Sequence, residues 1–314
     1  MIDVLVVAPV RPAQMAELEA RYQLHRLDLL TDETSRNVLL DQVGTRIRAV
    51  VTTGGGGFSE ALLARLPALE IVACGSVGTD SLCVDACHAK GVLVTNTPDV
   101  LTDDVADMAM MLLLTTVRRL LPGVEWIRQG HWVEQGMMAL NTTVTGKRLG
   151  IAGLGRIGQA IAKRAEAFGM EVSYYGRRPK SEVSYRYYDD LVAMARDVDI
   201  LAPVVPGGAA TQGLISREVL SALGPQGYFI NIARGSVVDE PALVELLQQG
   251  QLAGAGLDVF AHEPQVPPAL LSMPQVVVQP HCASGTVETR AAMAQLVVDN
   301  LAAYFSDQPL LTPV

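Results

Sequence analysis

Between Arg148 and Tyr175 the chain runs strand, glycine turn, helix and strand within about 30 residues, an order that few folds accept. Arg148-Leu149-Gly150-Ile151-Ala152 reads as a short, mostly apolar strand. Gly153-Leu154-Gly155-Arg156-Ile157-Gly158 follows as a G-x-G-x-x-G turn, and Gln159–Phe168 has a helical pattern. Gly169 stands where a helix-ending glycine belongs, and Met170–Tyr175 reads as the second strand. Each glycine of the turn has a mechanical use. The first permits the tight turn, the second lets backbone approach a pyrophosphate, and the third lets helix and strand pack closely. The helix start then offers free N–H groups and partial positive charge to phosphates. The pattern predicts a dinucleotide-binding βαβ unit.

The residues at the end of the second strand choose the nucleotide. An NAD site usually places a carboxylate there, about 20 residues on, to bind the ribose 2′-hydroxyl. This chain has Gly176-Arg177-Arg178. No carboxylate repels a 2′-phosphate, and two guanidiniums can bind one, so NADP(H) is the expected preference and NAD(H) the alternative.

A chain of 314 residues has length for two domains, each with its own core. A net charge of −9 argues against a nucleic-acid surface. Met1–Ala8 lacks a basic leader region and reads as a first strand. The most apolar run, Met108–Leu114, is too short to span a bilayer, so no membrane role and a cytoplasmic location are expected. Cys74, Cys83, Cys87 and Cys282 are then expected as reduced thiols. Cys83, Cys87 and His88 have no second ligand pair at matching spacing, so no metal is expected.

Residues 1–97 alternate strand signals (Ile2–Ala8, Ile47–Thr52, Leu69–Cys74, Val92–Thr95) with helical ones (Pro12–Tyr22, Ser59–Leu66, Ser81–Lys90), the rhythm of a parallel sheet covered on both faces. Gly54–Gly57 and Gly75-Ser76-Val77-Gly78 follow strand ends, where ligands bind in open α/β sheets. Asn96-Thr97-Pro98 reads as a hinge. A long helix is expected from Asp103 or Asp104 to Leu121, ended by Pro122-Gly123. Further strands are expected at Asp199–Ala202, Tyr228–Ile232, Ala255–Val259 and Gln275–Val278, with helices at Ser216–Leu223, Glu240–Gln249 and Val287–Phe305.

Three later loops each hold a polar group where a strand ends: Asn231-Ile232-Ala233-Arg234-Gly235, Asp258 through Glu263-Pro264, and Gln279-Pro280-His281-Cys282-Ala283-Ser284. With Asn96–Thr102, the glycine turn and Gly254–Phe260, these resemble the D-isomer-specific 2-hydroxyacid dehydrogenase family over essentially the whole chain. The Ser284-Gly285-Thr286-Val287-Glu288-Thr289-Arg290 run and the Pro309–Pro313 tail resemble its glyoxylate/hydroxypyruvate reductase branch, including plant-type hydroxyphenylpyruvate reductases. The resemblance implies two doubly wound parallel-sheet domains. A Rossmann nucleotide domain (99–284) would be inserted in a flavodoxin-like substrate domain (1–98 and 285–314).

The chemistry explains these residue types. Reducing a 2-keto acid needs a carboxylate anchor, a proton donor for the ketone oxygen and a nicotinamide facing the carbonyl carbon. Arg234 supplies a planar fork to the carboxylate and polarises the ketone. His281 is the acid in reduction and the base in oxidation. Glu263 is expected to pair with His281 and favour the imidazolium. The resemblance adds the backbone N–H groups of Val77 and Gly78 as the other carboxylate clamp. It places Thr102, Val205, Pro206, Thr211, Ile232, Ala233, Asp258, His281 and Ser284 beside the cofactor, with the glycine turn, Arg177 and Arg178. One departure stands out: Pro206-Gly207-Gly208-Ala209-Ala210-Thr211 replaces a Pro-Leu-Thr-Pro-Glu-Thr-type segment, and its two glycines loosen the unbound loop. His25, His88, His131 and His262 read as structural.

The expected function is reduction of glyoxylate or hydroxypyruvate. The alternatives are an aromatic keto acid, such as hydroxyphenylpyruvate, or a non-catalytic dinucleotide-sensing protein. The resemblance also implies a homodimer through the nucleotide domain, with Asp103–Leu121 and Trp126–Thr143 as the surface and Trp132, Met137 and Met138 reaching toward the partner.

Overall fold

The structure, a computed structural model, describes residues Met1 to Val314. It divides into two compact units, Met1–Leu101 with Ser284–Val314, and Thr102–Ala283.

The first unit is built on β1 (Asp3–Val6), β2 (Gln23–Arg26), β3 (Ile47–Thr52), β4 (Ile71–Cys74) and β5 (Leu93–Thr95), all parallel in the order β2-β1-β3-β4-β5. This is the flavodoxin-like winding. The intervening helices are α1 (Pro12–Arg21), α2 (Glu33–Val43), α3 (Glu60–Ala64) and α4 (Val84–Ala89). Their starts follow local chemistry. Pro12 opens α1, and the side chains of Asp32 and Ser59 accept from Ser35 N and Leu62 N to cap α2 and α3. Two apolar layers result. Leu5, Val50, Val72, Leu40 and Leu63 pack on one face of the sheet. Val4, Val6, Leu18, Ile71, Val297 and Leu301 pack on the other, so the C-terminal helix Val287–Tyr304 completes the unit. Buried Asn300 fixes the tail beyond it, accepting from Leu311 N and Thr312 N and donating to Thr312 Oγ1.

The second unit opens with α5 (Thr102–Val117), α6 (Leu120–Arg128) and α7 (His131–Gln135). The expected helix to Leu121 is wrong at its end. It stops at Val117, Arg119 turns left-handed at φ 48°, and α6 runs through Pro122-Gly123. Pro122 is the third residue of α6, where its missing N–H would have had no helical partner, so it does not break the helix.

The sheet of this unit consists of β6 (Arg148–Ala152), β7 (Glu171–Tyr175), β8 (Arg186–Tyr188), β9 (Ile200–Pro203), β10 (Tyr228–Asn231), β11 (Gly254–Leu257) and β12 (Val276–Val278). Helices α8 (Arg156–Ala167), α9 (Leu191–Asp197), α10 (Arg217–Leu223), α11 (Glu240–Gln248) and α12 (Pro268–Ser272) intervene. The order β12-β11-β10-β9-β6-β7-β8, all parallel, is Rossmann winding with one added strand. The order reverses at β6, so the glycine turn after β6 lies at the switch point where such sheets bind ligands.

Candidate active site

The glycine turn is shaped for a dinucleotide. A Cβ on Gly158 would lie 2.4 Å from the Gly153 carbonyl oxygen, so only glycine lets α8 start this close to the turn. A Cβ on Gly155, the residue before α8, would meet nothing within 4 Å. That open space beside a helix start is the room a pyrophosphate needs, and the residues present fit the group. Gly153 N donates to Tyr175 O at 2.9 Å, tying the turn to the end of β7. Gly176, Arg177 and Arg178 come next. Both arginines are exposed and neither is matched to a carboxylate, whereas Lys180 is taken by Glu182 at 3.1 Å. Val205 lies over the turn, with Cγ1 2.9 Å from where a Gly153 Cβ would be. The Pro206–Thr211 segment folds back on itself, Thr211 Oγ1 donating to Pro206 O at 2.6 Å.

The loops after β11 and β12 bring two titratable side chains together. Glu263 and His281, eighteen residues apart, meet with Oε2 2.6 Å from Nδ1. The other oxygen, Oε1, accepts from Phe260 N at 3.0 Å, so the carboxylate is oriented by its own loop. His281 is half-exposed in a left-handed turn (φ 50°), and its N–H donates to Asp258 O at 2.8 Å. With Nδ1 engaged, Nε2 is the ring nitrogen left to exchange a proton with a substrate.

Asp258 holds this loop from inside. It is fully buried, and its two oxygens accept from Cys282 N at 2.8 Å and Ala283 N at 2.9 Å. Burial pushes its carboxyl above the usual carboxylate range, against the pull of those donors. Asp258→Ala would leave two buried N–H groups unpaired and should cost roughly 2–5 kcal/mol, with activity falling further than stability. Urea melts and initial rates on the same preparation check this. A variant with parent stability and rate would remove the role.

Arg234 follows β10 on a loop tied by Asn231, whose amide accepts from Ala233 N at 3.0 Å and donates to Arg234 O at 3.2 Å. Sequence reasoning gave Asn231 no role, although an Asn two residues before a turn is a known loop tie. Gly235 packs so closely that a Cβ would fall 1.9 Å from the Phe260 carbonyl carbon. That contact sets the Arg234 loop against the chain leading to Glu263. Ile232 and Ala233 are buried behind it.

In the first unit, Val77 and Gly78 lie half-buried after β4. Val77 O accepts from Asn96 Nδ2 at 2.8 Å, while the N–H groups of Val77 and Gly78 donate to no protein acceptor. The Gly54–Gly57 stretch is a closed turn, held by Gly54 N to Ser76 Oγ (2.8 Å) and Gly57 N to Thr53 O (2.9 Å). Thr102 opens α5 in the second unit, and Ser284 opens the return segment of the first. Of the other histidines, His25 pairs with Asp3 at 2.6 Å, His131 stacks edge-on against Trp126, and His262 is exposed. All four cysteines are free, and burial pushes the Cys74 thiol up to about 11 and Cys87 to about 12. No three His, Cys, Asp or Glu side chains gather as a metal site, and no helix is long and apolar enough to cross a membrane.

A Rossmann glycine turn with an Arg–Glu–His set at neighbouring strand ends defines a nicotinamide-dinucleotide oxidoreductase acting on a keto or hydroxy acid. The comparisons make this specific. Residues 110–283 match the D-isomer specific 2-hydroxyacid dehydrogenase NAD-binding domain. Hydroxyphenylpyruvate reductase of Plectranthus scutellarioides is 49% identical, with 100% of this chain and 99% of that protein covered. Glyoxylate/hydroxypyruvate reductase A of Arabidopsis thaliana is 48% identical at the same coverage. The NADPH-dependent glyoxylate/hydroxypyruvate reductase of Sinorhizobium meliloti, solved with NADP and malonate, superposes with a TM-score of 0.90 at 44% identity, covering 99% of this chain and 96% of that one. The chain belongs to the D-isomer specific 2-hydroxyacid dehydrogenase family.

Proposed function

We propose that the protein reduces a small 2-keto acid, glyoxylate or hydroxypyruvate, to the D-2-hydroxy acid with NADPH. The Glu263–His281 pair carries the reading. A nicotinamide dinucleotide held at the Gly153–Gly158 turn would supply the hydride for the carbonyl carbon. His281 Nε2 gives its proton to the ketone oxygen, and Glu263 holds the ring by Nδ1 so that Nε2 faces outward. Arg234 anchors the carboxylate and draws charge onto the ketone oxygen, and the unengaged N–H groups of Val77 and Gly78 are further carboxylate donors. The glycine turn holds the pyrophosphate. Thr102, Val205, Pro206, Thr211, Ile232, Ala233, Asp258 and Ser284 stay assigned to the cofactor side, Asp258 through the loop it supports.

Two relatives of nearly equal identity carry different substrate names, so an aromatic keto acid is the second reading. Initial rates with glyoxylate, hydroxypyruvate and hydroxyphenylpyruvate, each with NADPH and NADH, decide between them. No turnover of any of the three would sink the proposal.

The NADPH preference rests on Arg177 and Arg178. One charge-assisted bond to an exposed phosphate is worth about 1.5 kcal/mol, so Arg177→Asp should lower the NADPH-to-NADH ratio of kcat/KM roughly tenfold or more. Equal use of both cofactors by the parent would defeat it.

The homodimer is proposed through the second unit. Helix α5 buries most of its apolar side within that unit, so the free surface lies further on. Leu120, Leu121, Ile127, Trp132, Val133, Met137 and Leu140 are between 51% and 92% exposed, too much apolar surface for free solvent. Sedimentation at micromolar concentration should give a dimer; a monomer would exclude it. Four free thiols suit a reducing cytoplasm, where we place the protein.

A further inference from the structure

The first unit contains a second cationic hollow that the mechanism above leaves unused. At the carboxyl ends of β1, β3 and β4 there is a cavity of about 300 Å³, lined by Arg11, Thr53, Gly75, Arg290 and Met293. Arg11 precedes α1, and Arg290 is the fourth residue of the C-terminal helix. Neither guanidinium has a carboxylate or any other partner in the protein. Arg21, Arg26, Arg46, Arg48 and Arg65 in the same unit are each matched to a carboxylate. In a chain of net charge −9, two unmatched cations lining one hollow repel each other unless an anion joins them. Thr53 adds a third donor, because its oxygen accepts from Gly56 N at 3.1 Å and its O–H remains to be given.

The position of the cavity narrows the choice of anion. Its wall at Gly75 lies two residues before Val77, at most about 7 Å of chain from the Val77 N–H and about 11 Å from that of Gly78, the groups proposed for the substrate carboxylate. That is the reach of a four- or five-carbon diacid. We infer that Arg11, Arg290 and Thr53 hold a second negative group at the far end of the keto acid, so that the enzyme accepts 2-keto dicarboxylates. The inference rests on the proposed reduction of 2-keto acids. It adds a specificity site built from the first unit alone.

The test compares oxaloacetate with 4-methyl-2-oxopentanoate, whose branched tail has a similar shape and no charge. The parent should favour oxaloacetate. Arg290→Gln should lower the ratio of the two kcat/KM values by about tenfold or more, and Arg290→Lys by less because it keeps a point charge. A ratio that moves by less than about threefold in Arg290→Gln, half of that logarithmic step, overturns the site. A binding readout separates this from the reaction itself. Malonate without NADPH should raise the thermal midpoint of the parent, and raise it less in Arg290→Gln and Arg11→Gln. Equal shifts in all three overturn the site, as does inorganic phosphate that stabilises the protein without competing with oxaloacetate. A parent that reduces no keto acid but loses malonate stabilisation in both variants would sink the reductase reading and keep the anion site.

Discussion

Arg234→Lys should lower kcat/KM for the keto acid by roughly 10²–10³, although the charge is kept. The proposed arginine has two tasks, holding the carboxylate and polarising the ketone, and it performs them with a planar fork. An ammonium can point at one oxygen at a time. Losing about two charge-assisted contacts, at roughly 1.5–3 kcal/mol each and partly offset by the remaining charge, gives that range. The loop geometry should survive, because Asn231 ties to main-chain atoms on either side and Gly235 fixes the backbone. NADPH affinity in the absence of substrate should therefore stay near the parent value. A Lys variant within about threefold of the parent, well under one 1.4 kcal/mol step, would show that Arg234 is not the anchor.

The parts of the fold legible in the sequence were those in which local pattern and tertiary role agree. β3, β6 and β10 are buried and apolar, and α8 follows a turn whose glycines have no substitute. Among the elements not legible in the sequence, β2 and β8 are strands at sheet edges, and α2 and α9 are helices. β2 (Gln23–Arg26) is an edge strand with no buried residue, so its sequence lacks alternation. α2 has only two buried residues in eleven, and β8, at the opposite edge of the other sheet, pairs on one side only. The end of α5 is not legible because Pro122 looks like a stop, whereas a left-handed Arg119 makes the break.

At the site, residue types at strand ends were enough to nominate Arg234, Glu263 and His281. Their support was not visible. The resemblance places Asp258 beside the cofactor and says nothing of its partners, the N–H groups of Cys282 and Ala283, twenty-four and twenty-five residues away. No local pattern encodes such a tie. The cavity of Arg11 and Arg290 has the same character, because β1's loop and the C-terminal helix meet only after the sheet is wound.

His281→Ala should cost roughly 10²–10⁴ in rate at the pH where the parent reduces fastest, the usual contribution of a positioned general acid. The direction of its pH dependence follows from the proton balance. Reduction consumes a proton from the ring, so only the imidazolium is competent, and kcat/KM for the keto acid falls as rising pH removes that proton. Oxidation needs the neutral ring to accept the hydroxyl proton, and kcat/KM for the hydroxy acid rises over the same window. Both limbs should vanish in His281→Ala, leaving a low, flat rate. Glu263→Gln tests the partner, because it keeps a hydrogen-bonding group near Nδ1 and removes the negative charge now 2.6 Å away. Without that charge the ring loses the charge-assisted contact that holds it, so kcat/KM for the keto acid should fall while NADPH binding stays near the parent value. The Phe260 N–H can still be accepted by the amide oxygen, which keeps the loop in place. Initial rates with one keto acid and NADPH binding, for the parent and Glu263→Gln, make the measurement. An unchanged kcat/KM in Glu263→Gln would mean that Glu263 does not position His281 for the proton transfer.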